Sequence, residues 1–131
     1  MSLIPYDPND LISSITRIVD GATQIIAGRF SQRKSYQIMC DHQLKMIKTE
    51  LAKMEAILKI HAVNDLIRVA FEEMQKTTEE FAEACRKTTA LADVSAHLLK
   101  MQATYLSALI ESFFRNECGH SPLLPCPTGR I

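Results

Sequence analysis

The chain reads as an all-α protein, an antiparallel four-helix bundle with coiled-coil-like packing. Three observations predict that class. From Tyr36 to about Thr89 there is neither proline nor glycine, and apolar residues keep helical spacing throughout. Within that stretch Cys40, Leu44, Ile47, Leu51, Met54 and Leu58 advance by 4, 3, 4, 3, 4, and Val63, Ile67, Ala70, Met74, Thr78, Phe81 and Cys85 by 4, 3, 4, 4, 3, 4. Such alternation is the seam of a helix lying lengthwise on another helix. Finally, β-branched runs bounded by turn residues are absent, so no strand is expected. Helices are expected at about 8–28, 32–60, 64–88 and 90–117, and their short connections favour an up-down-up-down arrangement.

The first helix starts at Asp7-Pro8-Asn9-Asp10, where Asp7 suits the cap, Pro8 the first helical position and Asp10 the positive end of the dipole. Leu11, Ile12, Ile15, Ile18, Val19, Ala22, Ile25 and Ile26 share one face; Ser13, Ser14, Arg17, Asp20 and Gln24 share the other. Gly28 is the expected stop, and Ser31 the expected cap of the second helix.

Helices two and three form the organising hairpin of this reading. Residues 29–60 carry seven basic and three acidic side chains, a net of +4; residues 61–88 carry four basic and six acidic, a net of −2. A reversal near His61–Asp65 brings Lys53 near Glu73, and Lys45 and Lys48 near Glu79 to Glu83. Asn64 then caps the third helix. Thr77 with Glu80 fits a capping box and offers a second place for the turn, but the earlier one gives charge complementarity.

Thr88 or Thr89 opens the last helix, which has the broadest apolar stripe. Leu91, Val94, Leu98, Met101, Tyr105, Leu109 and Phe113 make one row, widened by Leu99, Leu106, Ile110 and Phe114. A stripe that wide contacts two or more neighbours. Its expected interaction face is Leu98, Met101, Tyr105, Leu106, Leu109, Ile110, Phe113 and Phe114, and surplus apolar width favours a homo-oligomer.

At 131 residues the chain makes one bundle domain, 1–119, followed by a Pro-rich extended or disordered tail, 120–131. With 47% apolar residues and zero net charge it belongs to the globular class, without a global attraction for nucleic acid. The lysines of 29–60 are interleaved with glutamates, and Phe30 and Tyr36 are the only aromatics there, unlike a stacking platform. No apolar run approaches a bilayer span and the start lacks signal-peptide features, so a cytoplasmic protein with reduced cysteines is expected.

Chemistry-bearing motifs are sparse. Cys118, His120 and Cys126 cluster without the paired spacing of a zinc site, and Cys40 is needed on the seam. His61/Asp65 and Asp93/His97 are i, i+4 pairs, read as local contacts, and there is no Glu-x-x-His for a di-metal bundle. There is no nucleophile elbow or phosphate-cradling loop. The expectation is therefore a non-enzymatic protein–protein interaction or assembly module, self-associating, with no cofactor. The alternative is peripheral membrane binding through the amphipathic helix 8–28 and the basic cluster 29–34, and a weaker one is a helical metal-binding protein. The P-x-x-P spacing of Ser121–Pro125 is a minor further motif.

Overall fold

A computed structural model describes residues 7–118, and the side chains of residues 7–115. Helix α1 spans Asn9–Ala27, α2 Arg33–Ile60, α3 Asp65–Lys87 and α4 Thr89–Cys118, with a short 3-10 turn, Gly28–Phe30, between α1 and α2. Among the described residues there is no strand. The expected helices are all present, within a residue or two at each end.

Local chemistry explains most of the boundaries. The Asp7 carboxylate accepts the Asn9 N–H at 2.9 Å, ahead of the first full turn. Gly28 does not stop α1 through a left-handed conformation, because its φ is −87°. The absent side chain leaves room for Met39, whose Cε would stand 2.5 Å from a Cβ added there. Ser31 does not cap α2; Gln32 precedes that helix, without a side-chain cap. The chain reverses at residues 61–64, and Asn64 Oδ1 accepts the Ile67 N–H at 3.0 Å. Thr77 lies inside α3 and is buried, so no turn forms there. Thr88 is extended, and its Oγ1 accepts the Leu91 N–H at 3.0 Å, which starts α4 after a single connecting residue.

The four helices form a ring in which α1 touches α2 and α4, and α3 touches α4 and α2. All thirteen seam positions named above, twelve on α2 and α3 and Val63 in the turn between them, are buried. Fully enclosed Leu11, Ile18, Ile25, Ile47, Met54, Ile67, Met74, Phe81, Leu99 and Leu106 make the core continuous from α1 to α4. Each such side chain contributes about 1.5–3 kcal/mol by leaving water. Exposed ion pairs add about 0–1 kcal/mol each, so the core, and not charge, holds the bundle.

Two expectations change. The α2–α3 hairpin is not the tightest pair: backbones approach most closely between α3 and α4 and least between α2 and α3. Side-chain size differs along these helices: α4 brings Ala92, Ala96 and Ala103 to its buried line, whereas Met54 of α2 and Phe71, Met74 and Phe81 of α3 are bulky buried residues. The cross-hairpin charge pairing also fails to form. Among the described residues no ion pair joins α2 to α3; Lys53 lies 3.4 Å from Glu50, within its own helix, and not beside Glu73. The turn is where charge complementarity put it, but the Asn64 cap and the buried seam are what place it there.

Candidate interaction face

On α4 the structure separates two apolar lines. The inner line is Ala92, Ala96, Leu99, Ala103, Leu106 and Ile110, advancing by 4, 3, 4, 3, 4, and every member is buried. The outer line is Leu91, Val94, Leu98, Met101 and Tyr105, advancing by 3, 4, 3, 4, and every member is exposed, Val94 by 65% and Met101 by 69%. Five of the seven residues of the expected row, Leu91 to Tyr105, therefore face solvent, and the alanines lie in the core beside Leu99, Leu106 and Ile110. Small side chains let α4 sit close to α1 and α3 at once, and that closeness turns the bulky row outward.

The interaction face expected from the sequence divides accordingly. Leu98, Met101 and Tyr105 are exposed and available to a partner. Leu106 and Ile110 are core residues and are not. Leu109, Phe113 and Phe114 are partly buried against the core; the Phe113 and Phe114 rings meet edge-on at 5.0 Å, and Phe114 meets His61 at 5.5 Å. Leu66 and Val69 of α3 are also exposed. Scattered exposed apolar residues are ordinary, but a contiguous row marks an interaction site.

The apolar face of α1 is taken up by the bundle: Leu11, Ile15, Ile18, Ala22 and Ile25 are buried. In the basic cluster, Arg29 Nη1 donates to the Ile26 carbonyl at 2.7 Å and its guanidinium lies 4.5 Å from the Phe30 ring centre. Arg33 donates to the Cys85 carbonyl at 2.6 Å and to Thr89 Oγ1 at 3.1 Å, tying α2 to the end of α3. Phe30 remains exposed. No helix of the described residues is long and apolar enough to cross a membrane.

Two polar clusters complete the picture. The first joins α1 to α2. Glu50 is buried, and its Oε1 accepts from Ser14 Oγ at 2.8 Å and Arg17 Nη1 at 3.2 Å, while Lys53 Nζ lies 3.4 Å from Oε2. An open groove of about 480 Å³ runs beside it, lined by Asp10, Ser13, Ser14, Arg17, Lys53, Ala56 and Ile57. The carboxylate is neutralised by two cations and a hydroxyl, which is how a buried charge is held between helices. Sequence reading placed Ser14 on the polar face and passed over Glu50. The signal was there: Glu50 is three residues after Ile47 and four before Met54, and Ser14 is three after Leu11 and four before Ile18, so both fall on apolar faces.

The second cluster lies between α2 and α3. Cys40 and Cys85 are free thiols, fully buried, and near enough to perturb each other. The Cys85 thiol holds the Cys40 pKa below the ordinary thiol value, and Cys40 in turn pushes that of Cys85 up. Burial raises the pKa of the adjacent Tyr36, whose hydroxyl has no conventional hydrogen-bond partner among the described residues. The expected i, i+4 contacts differ from each other. His97 Nδ1 lies 2.9 Å from the Asp93 carbonyl and 3.7 Å from its carboxylate, whereas Asp65 pairs with Arg68 and His61 turns toward Phe114. Among the described residues no group of three or more His, Cys, Asp or Glu side chains is placed to hold a metal ion. The Cys118/His120/Cys126 cluster, the P-x-x-P spacing and the tail 120–131 lie outside the described side chains.

Comparison with known proteins finds no matching family model, no similar curated protein and no similar solved structure.

Proposed function

We propose that this chain is a non-enzymatic protein–protein interaction or assembly module, and that it docks through the outer face of the α3–α4 hairpin. The observation that carries this reading is the row Leu91, Val94, Leu98, Met101 and Tyr105, exposed along four turns of α4 at the spacing of a coiled-coil seam. A helix laid along that row buries apolar side chains that now face water, which is how amphipathic helices recognise a hydrophobic stripe. A cytosolic setting, in which Cys40 and Cys85 stay reduced, belongs to the same reading. Membrane-surface binding through residues 8–34 is less well supported, because the apolar face it needs is packed against α2 and α4.

The test is affinity capture from native extract, followed by mass spectrometry, with the full chain and its Leu98→Glu/Met101→Glu variant as baits. Both residues are exposed, so the variant keeps its helical circular dichroism. The expected result is a protein, either another copy or a different chain, retained by the parent and lost from the variant. Equal capture by both baits, or none by either, overturns the reading.

A further inference from the structure

We infer that Cys40 and Cys85 are a redox-sensitive dithiol, which a peroxide closes to a disulfide that pins α2 to α3 within one chain. This is independent of the docking face. The first ground is register. Helices α2 and α3 run antiparallel about the turn 61–64, so residues equally far from the middle of that turn stand level. Leu44 is then level with Phe81, Ile47 with Thr78, Leu51 with Met74 and Leu58 with Ile67, and all eight are buried seam residues. Cys40 is level with Cys85 in the same series. Asp41 and Leu44 share one groove with Ala82 and Arg86, as this register requires.

The second ground is enclosure. Cys40 and Cys85 are buried on facing seams, so each thiol points toward the other and away from solvent. Arg33, in the first turn of α2, donates to the Cys85 carbonyl at 2.6 Å and holds that end of α3 against α2. Each thiol perturbs the other, and Cys85 draws Cys40 toward its thiolate, the form that attacks a peroxide. Local opening at this end of the hairpin admits hydrogen peroxide. The Cys40 thiolate attacks one peroxide oxygen and the O–O bond breaks. Hydroxide leaves and takes up the proton that the thiol gave, forming water and a sulfenic acid on Cys40. The Cys85 sulfur then attacks Cys40 Sγ and the S–O bond breaks, so that hydroxide leaves with the Cys85 proton as a second water. The two thiols together lose two electrons, and the peroxide is reduced to two waters.

The test uses the full chain with Cys118→Ser and Cys126→Ser, so that only these two thiols remain. It is treated with hydrogen peroxide in native buffer, digested without reduction and analysed by mass spectrometry. The expected product is one cross-link between the Cys40 and Cys85 peptides, formed within a single chain and reversed by dithiothreitol. The closed form melts roughly 10 °C higher than the dithiol, because the unfolded chain now carries a closed loop. Adding Cys85→Ala leaves Cys40 without a resolving thiol, so a sulfenic acid accumulates there and is trapped by dimedone. Cys40→Ala, the companion variant, forms no cross-link. Circular dichroism shows which variants are folded, and the cross-link in the parent needs neither of them. Thiols that stay free in the folded chain, a link between two chains, or sulfinic acid without a cross-link overturns the inference. So does a disulfide that lowers the melting temperature, because facing thiols close without displacing their helices.

Discussion

The two apolar lines of α4 obey the same spacing and have opposite fates. The inner line is half alanine and is entirely buried; the outer line carries a leucine pair, a valine, a methionine and a tyrosine, and is entirely exposed. Hydrophobicity alone ranks them the wrong way round. What ranks them correctly is distance. A helix that must lie close to two neighbours needs small side chains at the points of contact, and close backbones gain dispersion contacts all along their length. Bulk on the far side is then left facing solvent. The α2–α3 pair is the reverse case: Met54 of α2 and Phe71, Met74 and Phe81 of α3 are bulky and buried, and the backbones stay further apart.

Three substitutions put that contrast at risk. The largest effect is expected for Leu106→Ala on the inner line, which removes a fully buried side chain and costs about 2–5 kcal/mol of unfolding free energy in a urea titration. Next comes Ala103→Leu. On a helix surface this change is harmless, but at a buried point of close approach it overpacks and costs about 1–3 kcal/mol, measured in the same way. The smallest effect belongs to the outer line: Met101→Ala shifts the stability of the chain by less than about 0.5 kcal/mol. If Ala103→Leu proves neutral while Met101→Ala costs as much as Leu106→Ala, the two faces of α4 have been assigned in reverse.

The Glu50 cluster and the thiol pair show a second difference, between polar groups that are fully met and those that are not. Glu50 brings its carboxylate inward with a serine, an arginine and a lysine around it, so the charge is compensated where it is buried. Tyr36 brings a hydroxyl inward beside two thiols, which are weak partners, and burial dominates its titration. Neither cluster assembles the nucleophile, base and orienting group of a catalytic site, and the exposed row on α4 remains the feature with the clearest use.

The number of helices, their ends and the burial of the α2 and α3 seams were legible in the residues alone. Apolar spacing of three and four marks a helix face wherever it occurs, and Asn64 and Thr88 cap through their own side chains within three residues. Those are local causes. Which face of α4 turns inward is not local, because Leu98 and Leu99 are chemically identical neighbours on opposite sides of the choice. Only the approach of α1 and α3 decides it, since close contact between backbones admits Ala96 and Ala103 and excludes Met101 and Tyr105. Contact between α1 and α2 sends Glu50 inward to meet Ser14 and Arg17, while Lys53 stands beside it on the same helix. Charge patterns along the chain missed the Arg17 pairing because α1, and not α3, lies against Glu50.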